Sequence, residues 1–258
     1  MDIAEVAGEL SAARWALRTV PPPSHGNPGF SLDDGYAVGR LLHQELVDSG
    51  WVPIGLKLGF TNQAIWSQLG LNRPFWAPIY DRTVTDRSEV SLEGLVAPRI
   101  EPEIVLGFRA NLPAGASSVE VGDAIGWAAL GFEIVQCHYP GWEMEPGDAV
   151  ADAGLHGVLV VGDRRELPSA AAHRLAMVEV VLRREGDVVA RGRGSAALGG
   201  PVEAVVWLLG LPGIEGLRAG MIVTTGTLTA ALPVVSGEVW QLSPAGRGGL
   251  SPLKVNFT

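Results

Sequence analysis

The residues most able to do chemistry in this chain are acidic and lie in strand-like sequence. In the run Arg99-Ile100-Glu101-Pro102-Glu103-Ile104-Val105-Leu106, residues two apart share a face of an extended chain. Glu101 and Glu103 therefore point one way, and Ile100 and Ile104 the other. Two carboxylates side by side repel each other, and each costs free energy when buried. A divalent cation between them removes the conflict. A third carboxylate, Glu133, sits in the apolar run Leu130-Gly131-Phe132-Glu133-Ile134-Val135 and needs a partner if that run is buried. Three carboxylates with no cysteine or histidine make a hard oxygen donor set. Such a set suits Mg²⁺ or Mn²⁺ better than Zn²⁺ and leaves about three octahedral positions for water or a ligand. The plainer reading makes Glu101 and Glu103 surface charges and Glu133 a salt-bridge member. Pro102 cannot donate to a ladder, which places this stretch at a sheet edge or rim.

The second chemical feature is a lysine. In Val52-Pro53-Ile54-Gly55-Leu56-Lys57-Leu58-Gly59-Phe60 the large apolar residues alternate on one face. Lys57 stands on the other among Pro53, Gly55 and Gly59, where a ligand or a backbone can approach closely. The alternative is a surface lysine on a solvated edge strand. Cys137 and His138 are adjacent and face opposite sides of a strand, which excludes a Cys–His nucleophile pair and leaves a buried structural thiol. His25, in Ser24-His25-Gly26-Asn27-Pro28-Gly29, belongs to a lid or to a connector. Trp66, Trp76, Trp142 and Phe75 are candidates for apolar lining or for core.

These residues need elements to hold them. The N-terminal residues read as an amphipathic helix. Ser31 caps a second helix, with Asp34 in the capping-box position, and that helix ends near Gly50. Ser117 and Glu120 signal another helix of roughly three turns, followed directly by the strand that carries Glu133. Residues 156–162 form a buried strand. Residues 178–184 and 188–194 form a hairpin about Glu185-Gly186-Asp187, and Pro201 and Gly210 bracket a short helix. Later strands fall at 221–225, 238–242 and 253–257. Residues 1–75 thus read as a helical N-terminal part and residues 76–258 as a β-rich body, an α+β organisation.

The whole chain sets the bounds. It has 258 residues, a formal charge of −9 and 47% hydrophobic residues, enough for a packed core. The acidic balance and scattered cations argue against nucleic acid as a partner. No apolar run is long enough for a membrane span, and the acidic N-terminus lacks the pattern of a secretory signal. A single cysteine excludes an internal disulfide framework and points to a reducing, cytoplasmic setting.

The segments GLKLGFTN, APRIEPEIVLG, LGFEIVQ, ADAGLHGVLVVG and IVTTGTLTAALPVVSGE, in this order, resemble the fumarylacetoacetate hydrolase superfamily. They are most similar to its 2-keto-4-pentenoate hydratase and 2-oxo-3-hexenedioate (4-oxalocrotonate) decarboxylase branch, over about Ser31 to Glu238. The resemblance implies a mixed β-roll or distorted barrel with a small helical N-terminal part, and a homo-oligomer. It implies that Glu101, Glu103 and Glu133 hold Mg²⁺ or Mn²⁺, and that Lys57, in the family's K-x-G-x-T segment, faces a 2-oxo acid substrate. Thr225, Gly226 and Thr227 match the loop lining the same pocket, and Asp81 resembles an active-site acid of the branch. Hydratases of this branch carry A-D-N-x-S-S-G where this chain has Ala151-Asp152-Ala153-Gly154-Leu155-His156-Gly157. His156 is the candidate replacement base. The implied reaction is hydration of a 2-hydroxy-2,4-dienoate or 2-oxo-enoate. Decarboxylation, acylpyruvase-type hydrolysis and ligand binding without turnover are the alternatives.

Overall fold

The computed structural model describes residues 2–245 and 249–258. Its principal helices are α1 (Ile3–Ala16), α2 (Leu32–Asp48), α3 (Ser118–Ala124), α4 (Pro146–Ala151) and α5 (Pro201–Leu209). Seven strands form the path of the large sheet: β1 (Pro53–Gly59), β2 (Phe75–Tyr80), β3 (Val84–Thr85), β4 (Arg99–Phe108), β5 (Ile125–Val135), β6 (His156–Val161) and β7 (Ile222–Thr224). They run in the order β2-β1-β7-β4-β5-β6-β3, with Leu232–Pro233 added beside β4 and Arg165–Glu166 beside β5. The β1–β7 and β3–β6 pairs are parallel and the other pairs antiparallel. The result is a mixed sheet curled into a half-barrel within an α+β fold.

A second, five-stranded sheet includes the hairpin of Glu179–Arg184 with Asp187–Arg193, turned through Glu185 and Gly186 at φ 52° and 90°. Between the two sheets and α5 lies the main core. Ile100, Ile104, Leu130, Phe132 and Ile134 of the large sheet meet Leu182, Trp240 and Phe257 of the smaller one there.

The Ser31–Asp34 capping box forms, with the Asp34 carboxylate accepting from the Ser31 backbone N–H at 2.9 Å. The Ser117–Glu120 box also forms, but α3 stops at Ala124, seven residues long. Ile125 opens a strand of eleven residues, nearly all buried. A strand buried on both faces is apolar throughout, so its periodicity cannot be told from that of a buried helix. The helix-rich N-terminal part ends before Pro53 rather than near residue 75, because β1 is an inner strand between β2 and β7. The loop that carries His25 is pinned: the Asp148 carboxylate accepts from Ser24 N–H at 2.9 Å and from the Ser24 hydroxyl at 2.6 Å.

β4 is also an inner strand, which corrects the expectation of an edge. Pro102 is accommodated because its side of β4 has a local gap. β7 pairs with residues 105–107 and Leu232–Pro233 with residues 99–100. Between them the Pro102 carbonyl accepts from Leu228 N–H at 2.8 Å. A residue's N–H and C=O point to the same side of a strand, so the missing donor falls where no ladder would use it.

Candidate metal centre and active site

Alternation along β4 and β5 places the acidic residues together. Glu101 lies directly across from Glu133, and Glu103 across from Gly131. Carboxylate oxygens of Glu101, Glu103 and Glu133 all come within 4.8 Å of one another. Glu103 and Glu133 are wholly buried and Glu101 is half-buried. Like charges directly opposed across a ladder destabilise a sheet, so the cluster requires compensation.

The protein's own donors supply part of it. Glu133 Oε1 receives Lys57 Nζ at 2.8 Å and His156 Nδ1 at 2.9 Å. Glu103 Oε2 accepts from the Gly226 N–H at 2.8 Å. In both residues the second oxygen, Glu103 Oε1 and Glu133 Oε2, is buried without a hydrogen-bond partner among the described residues. Buried polar atoms are rarely left so. Two orphaned oxygens beside a third carboxylate, with no nitrogen or sulfur donor in the set, fit a hard divalent cation such as Mg²⁺ or Mn²⁺.

Electrostatics follows the same division. Burial raises the Glu101 carboxyl to about 7; the Lys57 cation opposes that shift and the Glu133 charge adds to it. Burial, with the Glu133 and Glu101 charges, drives Glu103 well above the carboxylate range. Burial also acts to raise Glu133, but Lys57 and the His156 hydrogen bond outweigh it and hold Glu133 at about 2. Burial alone would strip Lys57 of its proton, yet the surrounding carboxylates raise it. Lys57 is thus a buried ammonium, only 2% exposed, and not a surface lysine.

His156 is 2% exposed, and both ring nitrogens are engaged: Nδ1 with Glu133, and Nε2 with the Thr83 hydroxyl at 2.8 Å. Burial lowers its basicity. A ring N–H at Nδ1 donates to the Glu133 carboxylate, and Nε2 meets the Thr83 hydroxyl, which also lies 2.9 Å from the Tyr80 carbonyl. Both ring nitrogens of His156 are thus taken up by Glu133 and Thr83. It ends a run in which Ala153, Gly154 and Leu155 all have positive φ (49°, 66° and 61°). Such strain is sustained only where surrounding structure enforces it.

A cavity of about 600 Å³ opens onto this cluster. Lys57 and Glu101 reach it, with Phe60, Phe75, Trp142 and Thr227 among its walls. Of the expected loop, Thr227, Leu228 and Thr229 line it, and Thr225 and Gly226 do not. The Thr225 hydroxyl turns into the sheet and donates to the Ile104 carbonyl at 2.9 Å, while Gly226 acts through its N–H on Glu103. Gly226 needs its glycine: φ is 103°, and a Cβ there would lie 2.0 Å from Thr61 Oγ1. Asp81 is not part of the cavity. It is exposed, and its carboxylate accepts from the Val52 N–H at 3.0 Å, because the chain turns away from the site at the end of β2. Trp76 and Trp66 also lie outside it, bonded to the Pro212 and Phe60 carbonyls.

Sequence reasoning missed three contributors. Thr83 holds His156 from a distant turn. Thr224, paired in register with Lys57, buries an Oγ1 that has no hydrogen-bond partner among the described residues. Asp152 grips His138, with Oδ1 at 2.8 Å from Nδ1, and so anchors the strained run. Cys137 is a free, buried thiol, pushed up to about 12 by burial, as a structural role requires.

No family model matches the sequence. The chain is 31% identical to a 2-keto-4-pentenoate hydratase from Paraburkholderia xenovorans, over 95% of this chain and 92% of that one. Its fold superposes with a TM-score of 0.91 on 4-oxalocrotonate decarboxylase from Pseudomonas putida G7, a structure complexed with magnesium and adipate. The two share 26% identity, over 99% of this chain and 97% of the other. A fumarylacetoacetate hydrolase family protein from Yersinia pestis shares the fold, at a TM-score of 0.59 and 17% identity over 79% of this chain and 92% of that one. The chain therefore belongs to the 2-keto-4-pentenoate hydratase family, and its fold is the one seen in fumarylacetoacetate hydrolase family proteins.

Proposed function

We propose that this chain is a divalent-metal-dependent hydratase that adds water to a 2-hydroxy-2,4-dienoate, handled as its 2-oxo-enoate tautomer. The observation that carries the proposal is the three-carboxylate cluster with two orphaned oxygens, in a chain whose relatives at about 30% identity are hydratases. Glu101, Glu103 and Glu133 would hold Mg²⁺ or Mn²⁺. When bound, the ion supplies Lewis acidity for a substrate oxygen that gains negative charge.

The remaining roles belong to this chain's side chains. Lys57 Nζ, held as an ammonium by Glu133, attracts the substrate carboxylate and is the proton donor nearest the cavity. His156 and Thr83 fix Glu133 so that one of its oxygens stays free. Gly226 does the same for Glu103. Thr227 and the aromatic walls orient the substrate and restrict water. Asp81 has no part in this scheme. A homo-oligomer and a cytoplasmic setting belong to the same proposal; light scattering on the purified chain reads the first.

The test is turnover of 2-hydroxypenta-2,4-dienoate, which should stop in a chelator and return with Mg²⁺ or Mn²⁺. Unchanged turnover in the chelator would contradict the proposal. Decarboxylation is the second reading, favoured by the 0.91 TM-score and by Ala153, Leu155 and His156 at positions where hydratases of the branch carry Asn and Ser. Metal-dependent CO₂ release without hydration would select it. Pyruvate release from acylpyruvates would select a hydrolase, and tight binding without any product a binding protein.

A further inference from the structure

Arg14 is a half-buried cation of the N-terminal helix that the proposed chemistry does not use. It lies in the last turn of α1, where a positive charge already suits the helix C-terminus. Its guanidinium nevertheless reaches a distant segment: Nη2 donates to the backbone carbonyl of His156 at 2.6 Å. No carboxylate pairs with Arg14 among the described residues, although the chain has 28 acidic residues against 19 Lys and Arg. A cation committed to one neutral carbonyl makes a charge-assisted bond, stronger than an amide would make there.

The carbonyl belongs to the far end of the strained corner. Ala153, Gly154 and Leu155 all have positive φ, and such a run keeps its shape only where its surroundings fix it. At the near end the Asp152 carboxylate accepts from the His138 backbone N–H at 3.0 Å and meets its ring at 2.8 Å. At the far end the His156 carbonyl takes Arg14 and, at 3.3 Å, the Gln136 side-chain amide. The segment after α1 reaches the near end too, where the Val20 N–H donates to the His138 carbonyl at 2.7 Å. The N-terminal chain therefore touches both ends of a corner whose Leu155 lines the cavity and whose His156 ring bonds Glu133.

We infer that Arg14 is a positioning residue of the metal centre. By holding the His156 backbone it fixes the imidazole against Glu133, and through Glu133 the arrangement of oxygens offered to the cation. Helix α1 is then a working part of the active site as well as a cover for the core through Ala7, Leu10 and Ala13. The inference rests on the reading that Glu101, Glu103 and Glu133 hold the ion. Groups that orient a metal ligand from behind change metal affinity by about 10–100-fold. Arg14 acts one bond further back, through His156, which places it at the lower end of that range.

Mn²⁺ titration followed by electron paramagnetic resonance on the full chain tests it, together with hydrogen exchange at residues 153–157 of the metal-free protein. Arg14→Ala is expected to weaken Mn²⁺ binding about tenfold and to speed exchange across the corner. Arg14→Lys, which keeps a charged donor, should fall between that variant and the wild type in both measurements. Ser11→Ala is the control: it removes the hydroxyl bond to Glu45 at 2.6 Å that ties α1 to α2, and should leave Mn²⁺ affinity at the wild-type value. Wild-type Mn²⁺ affinity in Arg14→Ala, or an equal loss in Ser11→Ala, overturns the inference and leaves Arg14 with helix docking alone. Absence of Mn²⁺ binding in the wild type, or binding undiminished in Glu103→Ala, overturns the cation reading, and the inference with it.

Discussion

The two faces of the β4–β5 ladder alternate along the same strands, and both carry wholly buried residues. Ile100, Ile104 and Ile134 on one face and Glu103 and Glu133 on the other are all 0% exposed. What differs is compensation. On the apolar face each buried side chain contributes roughly 1.5–3 kcal/mol by leaving water. On the acidic face three carboxylates share one ammonium, one neutral imidazole and one backbone N–H, and two oxygens are left over. Identical backbone thus yields a face that holds the sheet to its neighbour and a face that is stable only with something added. The second kind of surface is what a binding site for a cation requires.

The sharpest way to separate the faces is to truncate neighbours on β5. Glu133→Ala should abolish metal-dependent turnover. It should also destabilise the protein by about 3–5 kcal/mol, because Lys57 is left buried without its closest counter-charge. Ile134→Ala should cost a similar amount, about 2–5 kcal/mol, yet leave Mg²⁺ affinity in place. Urea unfolding and calorimetry on the two variants read both quantities. If Ile134→Ala loses the ion as completely as Glu133→Ala, the two faces are not functionally distinct.

A smaller effect divides the acidic face itself. Lys57→Met should lower turnover about 100-fold or more, the usual scale for a positioned proton donor, without weakening Mg²⁺ binding. Retention of full activity would leave Lys57 with a structural role only.

The smallest expected effect is in pH. Glu101, raised to about 7 by burial, keeps its proton in the folded state at pH values where the unfolded chain has lost it. That contribution to stability is present at low pH and is lost as pH rises through about 7. Protons and the ion compete for the same oxygens. Stabilisation by saturating Mg²⁺, about 2.7 kcal/mol at 100-fold over Kd, should therefore be larger at pH 8 than at pH 6. Equal shifts in Tm at the two pH values would mean that the ion does not displace protons here.

The sequence made the two faces legible because strand alternation is a local property: Glu101, Glu103 and Lys57 could be assigned to faces from their spacing alone. Capping boxes at Ser31 and Ser117 were legible for the same reason. What failed depended on contacts between distant segments. The inner position of β4 could not be read from Pro102, since the gap that tolerates it is made by β7 and Leu232–Pro233, more than a hundred residues away. The early end of α3 was hidden because β5 is apolar on both sides. His156 was recognised as part of the site, but its role depends on Thr83, which no spacing rule links to it. Asp81 lies outside the cavity wall, a placement its position along the chain could not give, since the turn after β2 directs it toward Val52.

The most direct test of the cation site is anomalous diffraction from crystals of the wild-type chain grown with Mn²⁺. A single strong peak within coordination distance of Glu101, Glu103 and Glu133, lost in Glu103→Ala crystals, is the expected result. A peak elsewhere, or none among these carboxylates at saturating Mn²⁺, would contradict it.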